Sequence, residues 1–302
     1  MSGNDVSARP PRVGGSDNLT GWALVSPAVV LIGVFGLLPV LMSLALSFQK
    51  SDLLSPETPW VGVENYRKLA DDPVFAEAIK HTIVFTALFV PGTMLVGLLV
   101  AAAMNRSLRF ISVYRTAAYV TMAVSTISEG IIFLWLTDRD YGLVNAALNA
   151  FGMPSQAFLA SPSQALFVIV AMTIWGWTGF SVIVYLAALQ GVPAELHEAA
   201  AIDGASAFTR FRTITVPMLG PANLFLVVWL TINALQLFDE VYVTTRGGPL
   251  RATTVIVYYL WDRAFVHFDA GYAAAMAYVL FVVIVVITAL QFRLSRRYVH
   301  YS

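Results

Sequence analysis

Six long apolar runs, at 22–48, 82–104, 117–137, 164–190, 222–243 and 271–292, constrain this chain more than any other feature. About 20 apolar residues cross a hydrocarbon core of about 30 Å, so each run is long enough to span a bilayer. A water-soluble domain carries roughly a quarter charged residues, whereas this chain of 302 carries 12%, with 58% hydrophobic. The sequence therefore predicts an all-α membrane protein of six transmembrane helices, running from 22 to 292.

The same arithmetic removes other classes. Eighteen basic and 18 acidic side chains balance to a net charge of +0, so there is no basic surface for nucleic acid. The absence of cysteine excludes thiolate nucleophiles and cysteine-rich metal centres. His81, His197, His267 and His300 are too scattered to read as a metal site. The first run is too long for a cleavable leader and is interrupted by Pro27 and Pro39, so a retained, kinked or tilted helix is expected.

An even number of crossings puts both termini on one side. Ten arginines lie in 1–21, 105–116, 191–221 and 293–302, against eight basic residues in 49–81, 138–163 and 244–270. Basic residues beside helix ends favour the cytoplasm, which places both termini there. Residues 1–21 read as a disordered tail and 293–302 as a basic tail. Amphipathic stretches at 63–69 and 73–79 read as short surface helices on the opposite side.

Between the fourth and fifth runs lies GVPAELHEAAAIDGASAFTRFRTITVPMLGP, residues 191–221. Pro193 suits a first helical position, Glu195 a first turn, and Gly204 a left-handed stop after Asp203. Phe208, Phe211, Ile214 and Thr215 then recur at helical spacing until Pro217 and Pro221 end the segment. The prediction is a compact helix–glycine–helix element whose first helix, through Ala199, Ala200 and Ala201, is bare enough for another backbone to approach.

Glu198-Ala199-Ala200, Asp203-Gly204-Ala205, Phe211, Ile214 and Pro217 with Pro221 resemble the EAA loop of the membrane subunits of bacterial ABC importers. Phe238-Asp239-Glu240-Val241-Tyr242 leading into Gly247-Gly248-Pro249, and Trp60-Val61-Gly62 with Asn65-Tyr66, narrow the resemblance to permeases for sugars and glycerol-phosphate compounds. It covers nearly the whole chain, and Gln291-Phe292-Arg293 leans towards the glycerol-phosphate branch. The resemblance implies a type I ABC importer permease in the bacterial inner membrane, with a cytoplasmic coupling helix between the fourth and fifth spans. Glu198, Ala199, Ala200, Asp203, Gly204, Ala205, Phe211 and Pro217 would couple it to a separate ATPase. It also implies a second related permease, two ATP-binding cassette subunits and an extracytoplasmic solute-binding protein. ATP and Mg would sit on the ATPase subunits. None of the three lysines here, Lys50, Lys68 and Lys80, follows a glycine-rich turn, so this chain has no phosphate-binding loop, and no cofactor or metal is expected on it.

Polar groups within a bilayer point to a bundle interior or an aqueous path. Trp229, Asn233, Gln236 and Glu240 are spaced for one face of the fifth helix. An aromatic with two amides suits a sugar or polyol, although hydrogen bonds between helices explain the amides equally well. Trp175, Trp177 and Phe180 supply stacking surface, or else an interface belt or core. Asp239 and Glu240, near the outer end of the fifth span, either greet solute or serve locally. Glu129 falls mid-span, in Ser125-Thr126-Ile127-Ser128-Glu129-Gly130, where related permeases carry small or apolar residues. It is either a protonated acid bonding between helices or a counter-ion for a cationic solute. The rival reading is an ion-coupled secondary transporter built on Glu129 or Asp239, which leaves the 191–221 element unexplained. A membrane enzyme finds no paired acid or nucleophile motif.

Overall fold

The structure, a computed structural model, describes residues 15–52, 57–105 and 110–295, with side chains from Gly21 onward. The expected basic tail beyond Ser295 and residues 1–14 of the expected N-terminal tail lie outside the described residues, and the rest of that N-terminal stretch is not a disordered tail but the start of a helix, Gly15–Leu31. Those described are almost wholly helical. They form no strand, only isolated bridges pairing Gln49 with Trp60 and Asp52 with Asp269.

Among the described residues, four helices are long and apolar enough to cross a membrane: Gly21–Ser47, Pro73–Met104, Ala165–Gln190 and Ala270–Ser295. Two bent pairs supply one more each if counted as spans: Ile111–Ala123 with Thr126–Leu136, bent by 100°, and Ala207–Met218 with Gly220–Leu235, bent by 64°.

The first span stays continuous because Ile32–Leu37 adopts a π turn just before Pro39. Proline has no N–H to give the preceding turn, and the wider turn absorbs that defect where a sharper kink would otherwise form. No residue of its apolar window is buried. The last helix holds the second half of this span, where the Tyr278 hydroxyl donates to the Val40 carbonyl, and a cluster of hydrogen bonds pins its end. Asn65 Nδ2 donates to the carbonyls of Ser47 and Gln49, 2.9 Å each, and Ser47 Oγ shares a 2.7 Å hydrogen bond with Tyr66. Carbonyls at a helix end lack partners of their own, which gives the Asn65-Tyr66 motif a structural role as a clamp.

Three sequence expectations change. The stretch 73–79 is not a separate surface helix but the first two turns of Pro73–Met104. The run 117–137 is not one rod. Val124 and Ser125 are extended, and Ser125 Oγ accepts from the Ser128 amide at 3.3 Å, capping a new helix that starts at Thr126. The run 222–243 is likewise divided: the helix ends at Leu235 and a six-residue helix, Asp239–Thr244, follows.

Pro73–Met104 and Ala165–Gln190 form the centre of the body. A Cβ on Gly97 would lie 2.5 Å from Ser181 Cβ, and one on Gly92 2.6 Å from Ile174 Cδ1. Small residues allow this approach, as in membrane bundles generally. Phe85, Phe89, Ile169, Met172, Val182 and Tyr185 fill the seam.

A second cluster, with Phe75, Leu235, Tyr259, Tyr272 and Met276, ties the start of Pro73–Met104 to the last helix. Asp72 is its polar hub. Oδ1 caps the helix, accepting from the Val74 amide at 2.8 Å, while Oδ2 accepts from the Tyr259 and Tyr272 hydroxyls at 2.6 Å each. Arg263 lies over both rings, 5.8 and 5.2 Å from their centroids. Burial alone would raise the Asp72 carboxyl, but the hydrogen bonds from Tyr259, Tyr272 and two backbone amides outweigh it and hold it below the usual carboxylate range. A depressed carboxyl stabilises the fold at any pH above its unfolded value, and that contribution disappears as pH falls through the folded value. Asp72→Asn keeps a capping oxygen, so it should cost about 1–2 kcal/mol and flatten the loss of thermal stability below about pH 4. Asp72→Ala loses the cap as well and should cost about 1 kcal/mol more. Thermal unfolding in detergent at pH 7 and pH 4 checks both; equal acid sensitivity in wild type and Asp72→Asn would contradict the assignment.

Candidate functional site: a bent loop and a mid-body cavity

The 191–221 segment folds as two short arms about Gly204. Pro193 caps the first arm, Ala194–Ile202, from outside rather than occupying its first turn, and Glu195 sits in that turn. Gly204 has φ +81° and stands in open space. The Ala205 amide donates to the Ala200 carbonyl at 2.9 Å and the Gly204 amide to Ala201 at 3.1 Å. This paired closure is the Schellman arrangement, in which a left-handed residue follows the helix. Ala199, Ala200 and Ala205 thus form the shoulder of the turn, and Asp203 is its exposed cap.

Ser206 Oγ then caps the second arm through the Thr209 amide at 3.2 Å. This arm runs through a π turn, Phe211–Thr215, to Met218. Pro217 and Pro221 do not end it as expected. Pro217 lies within the arm, which runs on to Met218, and Pro221 opens the next helix, Gly220–Leu235, where a missing N–H costs nothing. Arg210 Nη1 reaches back to the His197 carbonyl at 3.3 Å, holding the arms together.

Between the arms and the ends of the two central helices lies a cleft of about 750 Å³, lined by Glu198, His197, Phe208, Arg210 and Phe211 among others. Glu198 and Ala199 are exposed, Ala200 and Phe211 half-buried, and Pro217 exposed. Ile202 is 87% and Phe208 73% exposed, two large apolar groups projecting beside the turn. Ile202 was not singled out from sequence, although an apolar residue just before the Asp-Gly stop was the available signal.

The candidate pathway residues are brought together in part. Trp177, Asn233, Gln236, Asp239 and Glu240 line one cavity of about 230 Å³ with Phe85, Phe89, Thr126, Thr173 and Phe238. They do so by a route different from the one expected. The helix stops at Leu235, so Glu240 reaches the cavity from the separate helix Asp239–Thr244 rather than from one continuous face. Trp175 and Trp229 do not line it. Trp175 packs on Phe133, with centroids 5.9 Å apart, and Trp229 on Phe180 and Phe225, 6.1 Å each. Both are more than a third exposed.

Glu129 is buried, but in the first turn after the bend rather than in the middle of a rod. Its carboxylate packs on Gly176, where a Cβ would lie 2.5 Å from Oε2, and Oε1 has no hydrogen-bond partner. The neighbouring Gly130 receives Val243 and Thr244, so the Asp239–Thr244 helix rests directly on this turn. The Gly247-Gly248-Pro249 stretch folds back on itself: Thr253 Oγ1 donates to the Gly248 carbonyl at 2.8 Å and Thr254 Oγ1 to Gly247 at 3.1 Å.

Residues 93–300 match the family described as binding-protein-dependent transport system inner membrane component. The chain belongs to that family. This permease is 36% identical over 285 residues to the lactose transport system permease protein LacF of Rhizobium radiobacter, covering 92% of this chain and 95% of that one. It is 31% identical to the sn-glycerol-3-phosphate transport system permease protein UgpA of Agrobacterium fabrum, covering 93% and 96%. Its fold matches that of a bacterial ABC transporter involved in the import of the acidic polysaccharide alginate, with TM-score 0.84 at 24% identity over 93% and 96% of the two chains. The chain is therefore an ABC importer permease subunit of the inner membrane, a non-catalytic component that works with an ATPase and a binding protein. The ion-coupled alternative built on Glu129 or Asp239 is set aside by this membership.

Proposed function

We propose that this permease forms half of a translocation pathway for a sugar or glycerol-phosphate-type solute delivered by an extracytoplasmic binding protein. A second related permease completes the pathway, and two ATP-binding cassette subunits, carrying ATP and Mg, drive it. The chain crosses the bilayer six times with both termini in the cytoplasm. The cargo class follows the relatives, whose names specify lactose, sulfoquinovosyl glycerol and sn-glycerol-3-phosphate.

The observation that carries this reading is the prebuilt bend at Gly204, with Glu198, Ile202 and Phe208 displayed beside it. Glu198 offers an anion for a basic partner, the alanines allow close packing, and the two apolar groups supply area for an ATPase groove. Asp203, Ala205, Phe211 and Pro217 hold the shape. Trp177, Asn233, Gln236, Asp239 and Glu240 meet the solute, ring against sugar face and amide against hydroxyl.

Purification of the tagged chain in mild detergent should bring an ATP-binding subunit with it. Glu198→Lys combined with Phe208→Ala should lower that recovery at least about tenfold, a change of about 1.4 kcal/mol in affinity. Undiminished recovery would overturn the docking assignment.

A further inference from the structure

Five aromatic rings lead away from the mid-body cavity, towards the end of the body opposite the coupling loop. Tyr258, Trp261 and Phe265 follow one another at three- and four-residue spacing, which puts them on one helical face. Phe238 and Tyr242, four apart, form a second short row. The rows interlock through Trp261, whose ring lies 5.9 Å from Phe238, 4.9 Å from Tyr242, 5.8 Å from Tyr258 and 6.4 Å from Phe265 between centroids. Phe238 lines the mid-body cavity. Tyr258, stacked 6.4 Å from Phe238, lines a second cavity of about 310 Å³. That cavity includes Val74, at the start of Pro73–Met104, whereas the coupling cleft includes Ala102, near its end. At about 1.5 Å per residue the two are about 42 Å apart along the helix, so the second cavity opens on the face away from the ATPase.

Rings that serve only as packing disappear from the surface, as Phe85 and Phe89 do at 0% and 1% exposure. None of these five is buried, and Phe265 is 60% exposed. A belt of aromatic side chains at the membrane surface faces lipid, whereas this row borders both cavities. Tyr258 is also held in place, since a Cβ on Gly247 would lie 2.7 Å from its Cε1. The polar lining of the outer cavity supplies both halves of a hydrogen bond: Arg246 and Arg251 donate, Asp262 accepts, with His267 at 3.4 Å from it, and Tyr258 does either. A saccharide presents an apolar ring face beside a rim of hydroxyls, which matches a ring wall flanked by mixed donors and acceptors. An acyclic glycerol phosphate has no such face, and its phosphate meets Asp262 as well as the arginines.

We infer that Phe238, Tyr242, Tyr258, Trp261 and Phe265 form an entry track that stacks on pyranose rings and passes saccharides to the mid-body cavity. Within the sugar and glycerol-phosphate class, the track assigns this permease to ring-bearing saccharides. It rests on the pathway reading, because a track needs the cavity it leads to.

The test uses the complete transporter in nanodiscs without its binding protein, so that delivery does not mask the path. The probes are radiolabelled lactose, glucose and sn-glycerol 3-phosphate. The tighter-binding sugar should exceed glycerol 3-phosphate in affinity at least about tenfold, equivalent to about 1.4 kcal/mol. Trp261→Ala should weaken that sugar about tenfold and Phe265→Ala about threefold, while Tyr258→Phe, which keeps the ring, should change it less than about twofold. Thermal unfolding controls for the fold. Where Trp261→Ala lowers the midpoint, Phe265→Ala decides, because so exposed a ring contributes little packing. Glycerol 3-phosphate binding as tightly as either sugar, or no saturable sugar binding, overturns the inference. Sugar affinity unchanged in Phe265→Ala and in Trp261→Ala overturns it too and leaves the rings as a lipid belt. Trp177→Ala, in the mid-body cavity, separates the two readings. If it weakens the sugar while the track variants do not, the pathway stands and only the track fails. If none of the three variants changes sugar binding, the pathway reading fails as well.

Discussion

Gly204→Val should abolish solute-dependent ATP turnover by the assembled transporter while leaving the membrane body folded. The residue stands at φ +81°, where an L side chain costs about 1–2 kcal/mol and a β-branched one more. Nothing lies within 4 Å of an added Cβ, so the penalty at this position comes from the backbone conformation. The chain relieves that strain by leaving the left-handed conformation, which opens the Ala205–Ala200 and Gly204–Ala201 hydrogen bonds. The second arm then leaves at a different angle, and Arg210 loses its reach to His197. A rigid link that transmits a domain motion fails when its angle is wrong, even if both arms remain helical. Gly204→Ala should be milder, since alanine enters the left-handed region at lower cost than valine. Uptake and ATPase assays on reconstituted complexes, with thermal unfolding as the control, check the pair. Coupled turnover at wild-type rate in Gly204→Val would show that the bend carries no force.

Gly271→Val should prevent the chain from reaching its folded state. A Cβ there would lie 2.2 Å from the Gln49 carbonyl oxygen and 3.1 Å from the Ser51 nitrogen, both backbone atoms. A flexible side chain would swing aside, but a carbonyl held by Asn65 cannot move without breaking that 2.9 Å hydrogen bond. Retreat also opens the bond from the Gly271 amide to Ser51 and the bridge between Asp52 and Asp269. Overpacking alone costs about 1–3 kcal/mol, and the lost hydrogen bonds add about 1 kcal/mol each. That total is a large fraction of ordinary stability. Membrane-fraction yield and monodispersity in detergent should fall sharply. Gly271→Ala should show the same defect in weaker form, and wild-type yield in both would mean the approach is looser than described.

The bend at Gly204 was legible in the sequence because every part of it is local. The stop, its alanine shoulder and the Ser206 cap lie within a dozen residues, each with a backbone reason for its type. The continuous run 164–190 was similarly plain, for its helix, Ala165–Gln190, is apolar throughout. The breaks were hidden by the same apolarity. Hydropathy sees no difference between 117–137 as a rod and as two pieces at 100°, and the one clue is a serine-rich start, Ser125 to Ser128, of the kind that caps helices. The opposite difference arises at 73–82, where the apolar run starts only at 82 but the helix begins at Pro73 and runs on for 32 residues. The cavity was half legible. Spacing along one imagined helix grouped Asn233 and Gln236 with Trp229, yet Trp229 faces the aromatic cluster and Trp177 enters from another helix. Contacts between elements far apart in sequence, such as Glu129 on Gly176, leave no periodic trace.

The closure at Gly204 also bears on how quickly an assembly could form. Its hydrogen bonds are satisfied within the isolated chain, so the arms need not become ordered when something binds them. An incoming subunit meets a finished shape, and the rate of capture is then set by collision and orientation rather than by waiting for a loop to fold.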